Sequence, residues 1–130
     1  MNFMRSGATV CALVGLAMAG AAAAAPTIQV TCETRPDRSK ISVDGKGLAR
    51  RANYTTEVVS GGATAKSAVQ VANQRGEIET DYDSNPADIA AGAVAIASTF
   101  IANNTVTGKI VAASGAVVIS DTVSCRARSR

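Results

Sequence analysis

From Thr27 onward, apolar and polar residues alternate in short runs. Thr27-Ile28-Gln29-Val30-Thr31-Cys32 sets Ile28, Val30 and Cys32 on one face. Lys40 to Val43 does the same with Ile41 and Val43, and Tyr54 to Val59 with Tyr54, Thr56 and Val58. Asn104 to Ala113 aligns Val106, Gly108, Ile110 and Ala112; Ala116 to Arg126 aligns Val117, Ile119, Val123 and Cys125. A period of two predicts half-buried strands. Asp121 falls inside the last apolar series, which marks a bulge or a sheet edge there. The most regular run is Glu77-Ile78-Glu79-Thr80-Asp81-Tyr82-Asp83. Its odd positions are all acidic and its even positions are β-formers, so it predicts a strand with one core face and one wet, acidic face.

Turn chemistry separates these runs. Thr34 to Arg38 carries Pro36-Asp37, Asp44-Gly45-Lys46-Gly47 carries an Asp-Gly pair, and Gly61-Gly62, Gln74-Arg75-Gly76 and Ser114-Gly115 follow. Each predicts a reversal or a break. Leu48 to Asn53 reads as a connecting loop with Arg50 and Arg51 exposed. Thr64 to Asn73 alternates weakly, as a strand or one poor helix. In the next segment Asn85 suits an N-cap, with Pro86 at the first helical position and Asp88 at the third. Gly92 weakens a longer helix. A short helical turn near residues 86–91 is therefore expected, followed by an extended apolar segment to Ile101.

About seven short strands with regularly spaced turns predict an all-β sandwich. The layout resembles an immunoglobulin-like or fibronectin-like sandwich. It lacks a tryptophan, and its cysteines sit near the domain ends rather than as an inter-sheet pair. So common a fold carries no function by itself.

The beginning of the chain has another character. Met1 to Arg5 has one positive side chain, Ala8 to Ala19 is apolar, and Ala21 to Ala25 supplies small residues. This is the layout of a secretory signal peptide. The expected organisation is a leader over residues 1–25, a domain over 26–126 and a flexible basic tail over 127–130. Export makes Cys32 and Cys125, 93 residues apart, the two halves of one disulfide. A secreted or periplasmic location follows, with no stable membrane insertion once the leader is removed. The formal net charge of +3 is not that of a nucleic-acid binder.

The chain contains no histidine, which removes the commonest general base and transition-metal ligand. No catalytic residue is assigned. Asp81, Asp83, Asn85 and Asp88 form a calcium candidate, because Asp81-Tyr82-Asp83-Ser84-Asn85 resembles the opening of an EF-hand loop. Pro86 stands where that loop has its glycine and Gly92 where it has its bidentate glutamate, so only a looser site fits. Lys40, Lys46, Arg50, Arg51 and Lys66 are candidate cross-strand partners for the acidic strand. The expected function is that of a small exported, non-catalytic binding or structural module whose partner is another protein. The alternative is a calcium- or glycan-binding sandwich using the Asp81–Asp88 loop.

Overall fold

A computed structural model of the chain describes residues 25–129. The leader expected over residues 1–25 lies, but for its last residue, outside the described residues. The first sheet is built on β1 (Thr27–Arg35), β2 (Arg38–Lys46) and β6 (Ile78–Asp83). Two-residue strands extend it at both ends: β10 (Arg126–Ala127) beside β1 and β7 (Val94–Ala95) beside β6. The second sheet runs in the order β4 (Ala63–Lys66), β3 (Asn53–Ser60), β8 (Thr105–Ala112), β9 (Val117–Ser124), with β5 (Gln70–Val71) also on β3. One short helix, α1 (Pro86–Ala90), follows β6. The described residues form an all-β sandwich of ten strands. Seven of them are four residues or longer; β2, β3 and β8 carry the expected alternation most regularly, whereas Val117 of β9, expected inward with Ile119 and Val123, is exposed beside the ladder irregularity at Val111.

The inward positions are those the period of two selects. Ile41 and Val43 from the first sheet meet Val58, Val106 and Ile110 from the second, all fully buried. Complete burial of each such side chain contributes on the order of 1.5–3 kcal/mol. The sheets approach closely because each offers a glycine to the other. A Cβ at Gly45 would lie 2.5 Å from Ile110 Cδ1, and one at Gly108 would lie 2.6 Å from Val30 Cγ2. Gly45 is therefore no turn residue. β2 runs straight through Asp44-Gly45, which pair with Gln29 and Ile28 on one side and with Glu79 and Ile78 on the other. The chain reverses later, beginning at Gly47, whose φ is +71°.

Three further expectations are revised. Thr64 to Asn73 forms two short strands, β4 and β5, rather than one strand or a helix. They are parted where the Ser67 hydroxyl accepts the Thr56 N–H at 2.9 Å. Beyond Gly92 only Val94–Ala95 is extended; the rest crosses from one sheet to the other as an irregular plug. Ile96 and Phe100 are buried in it, and two buried serines hold it down. Ser39 Oγ donates to Ser98 O at 2.9 Å, and Ser60 Oγ accepts Ala102 N–H at 2.7 Å. Finally, the segment after Cys125 is tied down further than a tail beginning at residue 127 implies: Ala127 pairs with Thr34, and the Arg128 N–H donates to Thr34 O at 2.8 Å.

Candidate functional site

The two seams between the sheets differ. At one, β1 and its neighbour β10 face β9. There Cys32 and Cys125 form a disulfide with Cα atoms 4.7 Å apart. Asn104 brackets Cys125, its carbonyl accepting the Cys125 N–H and its side-chain amide donating to the Cys125 carbonyl, both at 2.8 Å. Glu33 on β1 accepts from Arg35 and Arg128, which together hold its carboxyl below the usual range despite desolvation acting the other way. β9 is an edge strand, and Asp121 on it lies opposite the inward Gly108. Asp121 itself is exposed, and a charge on an edge strand blunts that edge against further pairing. The ladder irregularity lies nearby, at Ile110/Val111.

At the other seam β6 faces β3 and β5, through Thr56 and Gln70, and among the described residues no covalent link closes it. β7 pairs only with Tyr82 and Asp83, so among the described residues no strand covers the outer edge of β6 from Ile78 to Asp81. The Asp83 carbonyl accepts the Ile96 N–H on this side at 3.0 Å. By the alternation of strand amides, Glu79 and Asp81 direct their backbone groups the same way. A groove of about 540 Å³ runs along this edge, with Ser67, Ala68 and Gln70 on the far wall and Glu79, Thr80 and Asp81 on the near one. Its floor is a hydroxyl network. Thr56 Oγ1 donates to Thr80 Oγ1 at 2.9 Å, Tyr82 OH lies 2.5 Å from Thr56 Oγ1, and Gln70 Nε2 donates to Thr80 Oγ1. Burial pushes the Tyr82 phenol up to about 12.

The structure gathers three of the four calcium candidates, but around a side chain. Arg38 Nε and Nη2 reach Asp83 Oδ1 and Oδ2 at 3.0 and 2.7 Å, and Nη2 also reaches Asp88 Oδ2 at 2.7 Å. The Asn85 side chain caps α1 by accepting the Ala87 N–H at 2.9 Å, while its own N–H donates to Asp83 Oδ1 at 2.9 Å. Asp81 stands apart and accepts from Ser42 Oγ at 2.6 Å. Burial alone would raise the Asp83 carboxyl. The Arg38 guanidinium and the Asn85 and Ser84 amides outweigh it and hold the carboxyl below its ordinary value. A metal ion on this loop would have to displace Arg38. Among the described residues, no group of three or more His, Cys, Asp or Glu side chains is gathered to hold a metal ion.

Asp83 also corrects the picture of a uniformly wet acidic face. It is in phase with Glu79 and Asp81, but it is only 1% exposed because α1 and Arg38 cover it. The cross-strand partners differ too. Of the five basic candidates only Lys40 stands opposite the strand, at Asp83, whereas Asp44 lies opposite Glu79 as a like-charge pair. Lys66 instead approaches Glu57 on the second sheet, at 4.0 Å. Desolvation first, and then the neighbouring Asp81 charge, pushes the Asp44 carboxyl up.

Sequence reasoning places Arg38 in a turn and so misses its role. The available signal was position: Arg38 opens a strand whose far neighbour ends in Asp83. Thr56 and Tyr82 are legible as inward residues, but not as hydrogen-bond partners. Among the described residues no helix is long and apolar enough to cross a membrane. The chain matches no protein-family model and no curated protein sequence.

Proposed function

We propose that the protein is an exported, non-catalytic binding module of the periplasm or cell exterior, and that it takes another protein as a strand added to the free edge of β6. The observation that carries this reading is the unequal treatment of the two seams. One is stapled by a disulfide, bracketed by Asn104 and guarded by Asp121; the other leaves an unpaired strand edge above a groove. An open edge is a template for pairing with another chain, and main-chain hydrogen bonds supply the affinity of such complexes. The leader-like N-terminus and the disulfide support export. The lack of histidine and the absence of an assigned nucleophile–base pair support a non-catalytic role.

Site-specific photocrosslinking in the producing cell tests the edge. A crosslinker at Glu79 is expected to give a discrete protein adduct, and one at Ser120 on β9 is expected to give none. Adducts from Ser120 alone, or from neither position, reject the β6 edge. Export is tested by intact mass: the isolated protein should lack its leader and gain two hydrogens on reduction. A protein that keeps its leader and carries free thiols refutes it.

A further inference from the structure

The chemistry around the free edge narrows what the added strand must carry. We propose that it is an extended segment of a partner protein with Lys or Arg at alternate positions and small residues between them. This rests on the edge-binding reading above and specifies its occupant.

Three observations converge. The outer face beside the edge is acidic: Asp44, Glu79 and Asp81 form no ion pair among the described residues, with Lys40 along the groove and Lys46 near Asp44 as its basic neighbours, and Asp44 and Glu79 stand directly opposite each other. Like charges directly opposed in a sheet are destabilising. A neighbouring strand with cations in phase removes that repulsion and adds charge-assisted hydrogen bonds. Alternate residues of any strand lie about 6.5–7 Å apart, so successive basic side chains match the Glu79–Asp81 spacing without adjustment.

The inner wall sets the residues in between. Ser67, Ala68 and Gln70 stand across the groove, and the hydroxyl floor lies beneath. Side chains entering there meet small and polar groups, which favours alanine, serine or threonine over large apolar residues. The uncovered length, Ile78 to Asp81, limits the pairing to about four residues, because β7 blocks the strand beyond it.

The molecule contains one instance of the same chemistry. Its segment Arg126-Ala127-Arg128 alternates basic and small residues and lies along β1 in parallel. There Arg128 pairs with Glu33 through its guanidinium and with the Thr34 carbonyl through its N–H. An acidic strand edge of this protein thus already holds an alternating arginine segment by main chain and side chain together. The edge of β6 carries two exposed acids, Glu79 and Asp81, where the part of β1 that holds this segment carries Glu33.

The test follows amide exchange in the isotope-labelled, oxidised protein with three capped pentapeptide probes. These are Arg-Ala-Arg-Ser-Arg, Thr-Ala-Thr-Ser-Thr and Glu-Ala-Glu-Ser-Glu. At low salt the basic probe, at ten times its Kd, should slow exchange at the Glu79 and Asp81 amides about tenfold. The effect should shrink as salt is raised. The double variant Glu79→Lys with Asp81→Lys should lose this protection while the core amides of β8 stay protected, which shows that the fold persists. If the neutral probe protects these amides as well as the basic one, the basic occupant is wrong and edge addition stands. Should no probe protect Glu79 or Asp81, both readings fall. Protection confined to β1 or β9 overturns the proposed location.

Discussion

The two seams of this sandwich solve the same problem in opposite ways. Where β1 meets β9, the chain closes the gap with a covalent bond, a bracketing asparagine and an ion-paired return along β1. Where β6 meets β3 and β5, it adds to apolar packing only hydrogen bonds and charge: a hydroxyl network inside, and Arg38 tying Asp83 to Asp88 at the end. The first arrangement resists solvent conditions. The second depends on the protonation of a few groups and leaves backbone available. Stability is thus concentrated away from the edge assigned to binding.

That contrast can be broken most severely at the closed seam. Replacing Cys32 and Cys125 by serine is expected to cost about 4 kcal/mol, given the 93-residue separation. Urea unfolding measures it, with a steeper slope because the unlinked denatured chain exposes more surface, and the amides of β1 and β9 should lose exchange protection before those of β6. Next comes Arg38→Ala, at about 3 kcal/mol, because it strands a buried carboxylate. Its pH dependence sharpens the comparison. Asp83 in the intact protein has a depressed pKa, so its contribution is present above the unfolded value of about 3.9 and is lost as the pH falls through the folded one. Without Arg38 only the Asn85 and Ser84 amides oppose burial, so the pKa rises from its depressed value and the variant should lose less stability on acidification than the intact protein. Thermal melts from pH 6 to pH 2.5 distinguish the two slopes.

Smaller effects are expected further in. Tyr82→Phe removes the hydroxyl paired with Thr56 and should cost about 1 kcal/mol at neutral pH. With a folded pKa near 12 against about 10 unfolded, Tyr82 loses stability as the pH rises across that interval. The variant should therefore show a flatter alkaline limb. The smallest change in stability belongs to Asp121→Val, within about 0.5 kcal/mol. Its consequence is different: with the charge gone, the β9 edge loses its guard against pairing with another chain. Light scattering at high concentration should then rise above that of the parent protein.

Much of the fold is legible in the sequence because most strands are half-buried and obey a strict period. Val30, Ile41, Val43, Val58, Val106 and Ile110 all lie inward as their alternation requires. Asn85 and Pro86 likewise mark the start of α1, where capping is a local property. What escapes is settled by tertiary contact. Asp44-Gly45 has the composition of a turn, yet Gly45 is selected by the side chain it faces, and its phase with Ile41 and Val43 was the only clue. Plug residues 96–102 take their shape from Ser39 and Ser60, which are distant in sequence. Asp83 alternates with exposed acids and is buried only because a helix five residues long folds over it. The site was half visible. The acidic face was plain, but no pattern in one chain reveals which strand is left without a neighbour.

The reciprocal glycines carry one more consequence. Gly45 receives Ile110 of the opposite sheet, and Gly108 receives Val30. Each half of the sandwich thus has a notch and a tooth, and the two must engage together. Sliding one sheet along the other by a strand's repeat would bring a branched side chain onto a Cβ-bearing neighbour at both points. The pairing works as a keyed joint: it rejects misaligned dockings of correctly formed hairpins, so the facing alignment is chosen by shape and not by hydrophobicity, which a shifted arrangement would satisfy nearly as well.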